Sequence, residues 1–361
     1  MNFLRCFLVL FLFLPSLSVA QSSRRGWSID SVQAKLQAFF DSQNIQGMAV
    51  SISLDSVVVY SQGFGYLDEA KERPVNPAQS LFRIASLSKP ITSTCLGVMV
   101  DQGTLAFDQS VYQYVPDFPK KRYDLNLQHL ANHTSGIRHY RSFETENKKP
   151  LSIEAGLKKF QQSKLGFEPG TDYRYSSYGY NLLGVAMQNA AGMPFEHLVE
   201  EEVLEPLQMN HTIPDGRTVA SHEVSGFFKA SGDKPPKLTP EVDIFFKLPS
   251  GGYLSTTEDL LRLGNSYIYQ SLLSEATQQA ILTRPKLSTR TSSYAMGWGV
   301  SEDKAGRTYL SHSGGGVGAV TRIVVYPEQR YCIAVAINTN CDYLKLISDV
   351  KAVNAYVLEN L

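Results

Sequence analysis

A serine and a lysine stand three residues apart in Phe82-Arg83-Ile84-Ala85-Ser86-Leu87-Ser88-Lys89, at the mouth of an apolar stretch from Ile91 to Val100. On a helix, positions i and i+3 share a face, so the Lys89 amine can reach the Ser86 hydroxyl. That is a nucleophile beside a base. A serine at a buried helix N-terminus also sits where unpaired backbone N–H groups and the positive end of the macrodipole stabilise an oxyanion. The spacing alone is not distinctive. Ser231/Lys234, Ser301/Lys304 and Ser348/Lys351 repeat it in charged or glycine-containing surroundings, where a capping serine and a surface lysine account for it. Only Ser86 and Lys89 precede a long apolar segment.

Two further stretches concentrate reactive residue types. Tyr173-Arg174-Tyr175-Ser176-Ser177-Tyr178-Gly179-Tyr180 precedes an apolar run from Leu182 to Ala190; for any one of these tyrosines taken alone, packing is explanation enough. His312-Ser313-Gly314-Gly315-Gly316 precedes a strand-like run. No Cys/His spacing matches a zinc site, and the reading calls for no metal and no cofactor. The 34 basic residues balance 34 acidic ones. No basic block of the kind that binds nucleic acid is present.

The elements that must hold these residues lie at both ends of the chain and between them. Trp27 to Phe40 has helical periodicity, with Ile29, Val32, Leu36, Phe39 and Phe40 on one side. Met48 to Leu54 and Val57 to Tyr60 read as strands of a hairpin turning at Asp55-Ser56. Near the C-terminus, strands are expected from Thr321 to Tyr326 and Tyr331 to Ile337, then a helix from Leu344 to Leu358. Between lie the Ser86 helix, a short helix from Leu125 to Leu130, a charged stretch from Arg141 to Pro150 that reads as a mobile surface loop, and the Leu182 helix. A Gly-rich turn at Pro249-Ser250-Gly251-Gly252 leads to a capped helix, and Lys234-Pro235-Pro236-Lys237 reads as an exposed excursion. This order predicts an α/β fold of the α+β type: one antiparallel sheet built from both termini, terminal helices flanking it, and a mostly helical insertion. The sheet parts span about 27–80 and 290–361, the helical part about 81–289, and the cleft runs along their seam.

Residues 1–20 read as a secretory signal: Arg5, an apolar run from Cys6 to Leu14, then Pro15 and Ser18-Val19-Ala20 as a small-residue cleavage site. The expected mature chain, 21–361, is periplasmic or extracellular, with no membrane span beyond the signal. Of the three cysteines in it, Cys95 reads as a buried thiol. Cys332 and Cys341 are close enough in sequence to allow a bridge that only geometry can decide.

With Ser86-x-x-Lys89, Tyr175-x-Ser177 and His312-Ser313-Gly314 in this order, the chain resembles the penicillin-binding-protein-like serine hydrolases, which include class C β-lactamases, D-aminopeptidases and related esterases. Phe82-Arg83-Ile84-Ala85-Ser86, His133-Thr134-Ser135-Gly136, Pro169-Gly170-Thr171, Pro249-Ser250-Gly251-Gly252 and Gly297-Trp298-Gly299 agree with that family, covering almost the whole mature chain. The stretch from His133 to Tyr140 is most similar to the lactamase-like serine proteases also found in mitochondria.

The resemblance implies a β-lactamase/transpeptidase-like fold and a set of roles. Ser86 attacks an acyl carbon, Lys89 and Tyr175 share the proton work, and the backbone N–H groups of Ser86 and Gly315 form the oxyanion hole. Ser177, His312, Ser313 and Gly314 bind substrate, and Gly315 and Gly316 open space at the cleft edge. The sequence leaves open whether Lys89 or Tyr175 is the base. Two departures narrow the activity. Ser177 replaces the asparagine of many relatives and offers fewer hydrogen bonds. His312 replaces a lysine, and a neutral imidazole attracts a carboxylate less strongly. The expectation is a secreted serine hydrolase acting on an ester, peptide or amide, as an esterase or D-amino-acid-type peptidase, with β-lactamase activity third. The partner is a small-molecule or peptide acyl substrate; oligomeric state is left open. The alternative is a penicillin-recognising sensor or scaffold with little or no turnover.

Overall fold

The computed structural model describes residues 26–141, 144–147, 149–216, 223–232 and 234–361; the expected signal segment lies outside these residues. Six strands form the main antiparallel sheet: β1 (Gly47–Leu54), β2 (Val57–Gly65), β3 (Gly299–Glu302), β4 (Thr308–Gly316), β5 (Ala319–Tyr326) and β6 (Tyr331–Ile337), in the order β2-β1-β6-β5-β4-β3. The two N-terminal strands thus join the four C-terminal ones through β1 and β6, as the order of elements predicted. The β1–β2 hairpin turns at Asp55 and Ser56, with φ of 51° and 64°. Two successive positive φ values are what a two-residue type I′ turn requires, and short polar side chains tolerate them better than bulky ones.

Helices α1 (Ile29–Asp41) and α5 (Tyr343–Glu359) cover one face of this sheet. Val32, Leu36 and Phe39 of α1 and Leu346, Val350, Val353 and Val357 of α5 pack on Ile333, Val335 and Ile337. Each such fully buried aliphatic side chain contributes about 1.5–3 kcal/mol. The helical stripe was legible in the sequence except at Ile29, which is 52% exposed. It is the first helical residue, capped by Ser28, and overhangs the core.

The opposite face receives the helical body. Helices α2 (Ser88–Asp101), α3 (Ser177–Ala191) and α4 (Thr257–Tyr269) are its main elements. Every residue of α2 from Ser88 to Met99 is buried, so this helix forms the centre of the protein. Helix α3 starts five residues ahead of the expected apolar run because Ser176 caps it, accepting from Gly179 N–H at 3.1 Å. The short helix expected from Leu125 occupies Leu127–Ala131. Where β1 meets α4, the buried Ser51 and Ser53 are satisfied by Thr257 and Asn265 at 2.7 and 3.0 Å, which removes the penalty of burying hydroxyls.

Two readings are corrected, one is borne out with a pairing added, and the bridge left open is decided. Pro249-Ser250-Gly251 belongs to a short helix, Leu248–Gly251, followed by a strand, Tyr253–Ser255. Proline fits the first helical turn, where no N–H donor is needed. Lys234-Pro235-Pro236-Lys237 is exposed but paired: it lies in strand Lys234–Leu238 against Phe228–Ser231. A two-stranded ribbon has only edge strands, where proline is tolerated.

The charged stretch after Arg141 is held down in its described residues. Glu144 accepts from both terminal nitrogens of Arg138 at 2.7 and 2.9 Å, and Lys247 donates to the Thr145 carbonyl at 2.6 Å. Finally, Cys332 and Cys341 are both free. Cys332 packs in the core of the helical body and Cys341 against the core under α1 and α5, on the other side of the sheet.

Among the described residues, no helix is long and apolar enough to cross a membrane.

Candidate active site

Ser86 lies on a single 3-10 turn, Ala85–Leu87, that runs directly into α2. The turn is pinned on every side. Ile84 N–H donates to the Tyr253 carbonyl at 3.1 Å, the Ile84 carbonyl accepts from Thr321 Oγ1 at 2.9 Å, and the Ala85 carbonyl accepts from Ser88 Oγ at 2.8 Å. Ala85 itself has φ of 46°, an uncommon conformation for a residue with a side chain, and one that over-determined surroundings can hold. Its methyl group lies against Gly314 and Gly316 of β4.

Gly314, expected among the substrate-binding residues, is buried beneath this turn. A Cβ added there would stand 2.2 Å from the Ile84 carbonyl oxygen. Its glycine serves close approach of the sheet to the Ser86 turn.

Lys89 is fully buried. Its Nζ lies 3.1 Å from Ser86 Oγ and donates to the Ser250 carbonyl at 2.6 Å. Nζ also sits 4.8 Å from the centre of the Tyr175 ring and 5.6 Å from that of Tyr180. Burial, reinforced by the positive charge of Lys247, holds the Lys89 amine well below its ordinary pKa.

Tyr175 is brought in by the start of α3, and its hydroxyl is a hydrogen-bond partner of Ser86. Burial pushes its pKa up. One cause therefore favours the neutral form of both groups, and a neutral amine is a base whereas a neutral phenol is an acid.

Two histidines anchor the backbone beside Tyr175. His133 Nδ1 accepts from Ser176 N–H at 3.2 Å and His139 Nδ1 accepts from Ser177 N–H at 3.1 Å. Accepting requires unprotonated nitrogens. Burial keeps both below the usual histidine value, His139 at about 4 and His133 well below its normal range.

Ser177 is buried and lines a cavity with Ser86, Arg83, Tyr140, Lys247 and Gly315. The Tyr140 hydroxyl reaches both Ser177 and Ser250, the latter at 2.9 Å, and burial raises its pKa to about 12. Tyr140 thus fills space beside the short Ser177 side chain. Lys247, half-buried in the same wall, is brought down to about 8 by burial and by the Arg83 charge.

His312 lies on the other side of Ser86, in a second cavity lined also by Tyr175, Tyr294, Ser313 and Arg322. Its Nδ1 is 2.9 Å from the Ser313 carbonyl and its Nε2 2.9 Å from the Tyr294 hydroxyl. The first partner can only accept, so the proton sits on Nδ1 and Nε2 accepts from Tyr294. Burial pulls His312 down to about 3. It is a neutral, doubly engaged imidazole.

Gly315 is exposed, with open space where a side chain would stand. Strand β3 ends its pairing at Gly299 opposite Ser311, so residues 312–316 of β4 border the cleft with no strand neighbour on that side among the described residues.

The structure thus brings Ser86, Lys89, Tyr175, Ser177, His312, Ser313 and Gly315 around one cleft. Sequence reading missed Tyr140, Lys247, Tyr294 and Arg322. Only Tyr140 carried a signal, as the end of the His133-to-Tyr140 stretch. Among the described residues, no group of three His, Cys, Asp or Glu side chains could hold a metal ion.

A profile for the family described as Beta-lactamase matches residues 32–348. The serine beta-lactamase-like protein LACTB, mitochondrial, of Homo sapiens is 28% identical over 399 aligned positions, spanning 84% of this chain and 72% of that protein. Two solved structures share the fold at TM-score 0.76 and 19% identity. EstCE1, a hydrolase with promiscuous acyltransferase activity, matches over 90% of this chain and 97% of its own. A D-stereospecific amidohydrolase from Streptomyces sp. matches over 89% and 98%.

Proposed function

The chain belongs to the beta-lactamase family, as a serine hydrolase of the β-lactamase and penicillin-binding-protein superfamily, and on that premise we propose that it cleaves an ester, peptide or amide through an acyl-enzyme on Ser86. The observation that carries the proposal is the 3.1 Å approach of Ser86 Oγ to the buried amine of Lys89. A neutral lysine held there by the Ser250 carbonyl directs its lone pair at the hydroxyl it must deprotonate.

In the proposed sequence, Ser86 Oγ bonds to the acyl carbon as its proton passes to Lys89. The backbone N–H groups of Ser86 and Gly315 receive the oxyanion, each contributing a few kcal/mol, about 3 in comparable sites. Tyr175, carrying its proton, donates it to the leaving group as the acyl–leaving-group bond breaks, and is reprotonated by Lys89. Water then attacks the acyl-enzyme, passes its proton back through the same pair and releases the acid and free Ser86.

Esterase and D-amino-acid-type peptidase activities are the preferred readings, in keeping with an acyl-transferring hydrolase and a D-stereospecific amidohydrolase among the structural neighbours. β-Lactamase activity ranks below them because His312 is neutral and already engaged at both nitrogens. Export to a periplasmic or extracellular location completes the proposal and rests on the sequence of residues 1–20. N-terminal sequencing of protein recovered outside the cytoplasm tests that part.

The chemistry is tested by intact mass spectrometry of the protein mixed with a serine-directed fluorophosphonate, a small activated ester and a penicillin, with Ser86→Ala as control. An adduct lost in the control and released with the ester supports a hydrolase. An adduct that persists with every donor supports a slow penicillin-recognising sensor, and no adduct in folded protein overturns both.

A further inference from the structure

The 34 basic and 34 acidic residues balance over the chain, but they are not evenly spread. Lys120, Lys121 and Arg122 follow one another in a loop of the helical body, and with Lys164 and Gly166 they line a hollow of about 600 Å³. The Arg174 guanidinium joins them because it lies over Gly166, where an added Cβ would stand 2.5 Å from its Nη1. No residue of this hollow lines either cavity at Ser86.

Four of these five cations are oriented by neutral groups. The Lys121 ammonium donates to the Gln161 carbonyl, and the Lys121 backbone N–H donates to the Tyr112 hydroxyl at 2.9 Å. Lys120 Nζ sits 4.1 Å from the centre of the Tyr112 ring, and the guanidinium groups of Arg122 and Arg174 lie 5.1 and 5.8 Å from the rings of Tyr123 and Phe167. A carbonyl or a ring face orients a cation without cancelling its charge. Among the described residues, none of the five forms an ion pair. Glu168 is the one carboxylate in the lining; Asp117 and Asp124 flank the basic run in sequence but stand outside it.

A surplus of positive charge therefore faces one concave surface. Like charges held together repel, and burial already lowers the pKa of Lys121. An anion in the hollow relieves both costs. Its shape narrows the choice, because a concave site encloses a compact ligand and meets a flat bilayer only at its rim. One carboxylate would offset a single charge, whereas linked phosphates bring several into the same volume and match the guanidinium fork.

We propose that the hollow ringed by Lys120, Lys121, Arg122, Lys164 and Arg174 binds a compact soluble polyanion of the polyphosphate class, at a site separate from the Ser86 cleft. It stands independently of the acyl-enzyme reading.

The test titrates tripolyphosphate into the protein by calorimetry. Binding is expected at about 0.01 M salt and weakens toward about 0.1 M, as the screening length falls from about 30 to about 10 Å. Lys120→Gln, Lys121→Gln and Arg122→Gln together lower the affinity by about tenfold to a hundredfold, the range of one charge-assisted hydrogen bond or more. The control removes three charges from the exposed ribbon, as Lys229→Gln, Lys234→Gln and Lys237→Gln, and leaves the affinity unchanged. Should the triple variant unfold, Lys164→Gln, at an exposed position, weakens binding in the same direction.

No binding by the unaltered protein, or an equal loss in the ribbon control, overturns the inference. So do phosphatidylglycerol vesicles that displace tripolyphosphate and lose affinity in the same triple variant, because the partner would then be a lipid surface.

Discussion

Lys89 Nζ donates to the Ser250 carbonyl at 2.6 Å, across a sequence separation of 161 residues. That one bond orients a buried amine whose other contact is Ser86 Oγ. Ser250 is itself held by the short helix Leu248–Gly251, whose Pro249 carbonyl accepts from Thr92 of α2 at 2.7 Å. Nucleophile, base and base-orienting carbonyl are thereby fixed to one helix and the segment packed on it.

Replacing the base should therefore spare folding and remove chemistry. Lys89→Met keeps the length and burial of the side chain and is expected to lower the rate of fluorophosphonate labelling at Ser86 by about 10²–10⁴-fold, the usual range for a positioned base. Labelling rates at pH 7 with thermal melting as a folding control check this. A rate within a few-fold of the unaltered protein would shift the base to Tyr175.

Lys247 acts on Lys89 through its charge. Lys247→Gln removes a cation that, after burial, is the second cause depressing the Lys89 pKa. Without it, protonated Lys89 becomes less unfavourable, its pKa rises, and the acid limb of kcat/KM for an ester moves to higher pH. The pH profile of the variant, compared with that of the unaltered protein, reads the shift; an unmoved or lower limb contradicts the coupling.

His312 should leave no limb near neutrality. With its pKa brought to about 3, the imidazole stays uncharged through pH 5–8. The expected imidazole signal in a pH-titrated NMR spectrum is flat across that range, and a midpoint near 6.5 would show that the ring is hydrated and free to charge.

Gly314→Ala places a methyl group 2.2 Å from the Ile84 carbonyl oxygen. Neither strand β4 nor the pinned Ile84–Ala85 turn can yield freely, so overpacking should cost about 1–3 kcal/mol and displace Ser86. Denaturant unfolding and labelling rate should fall together. Gly315→Ala, at a position with nothing within 4 Å, is the control for stability.

Glu144 links the stretch after Arg141 to pH. Hydrogen bonds from Arg138 are the main cause lowering its carboxyl to about 2, below the unfolded value near 4.3. A depressed acid stabilises above the unfolded pKa and loses that contribution as pH falls through the folded one. Limited proteolysis between residues 141 and 150 should therefore stay slow at pH 5–7 and accelerate as pH drops from about 4 toward 2. Glu144→Gln should be cut readily at neutral pH.

The sequence by itself determined the frame. The strand-like runs of β1, β5 and β6, the stripe of α1 and the helix α5 were legible, because such patterns are local properties of the chain. The Ser86/Lys89 pair was legible for the same reason, since three residues on a helix guarantee proximity. Tyr175 and the His312 stretch needed the order of several motifs together. Tertiary structure alone decided what surrounds them. Tyr140 meets Ser250 across 110 residues, Arg322 meets Ser313 only through the β4–β5 register, and His312 finds both nitrogens engaged because Tyr294 closes over it. No spacing rule encodes such contacts. Nor could sequence say which of Lys89 and Tyr175 is the base, because protonation follows burial, and burial follows the assembly of segments far apart along the chain.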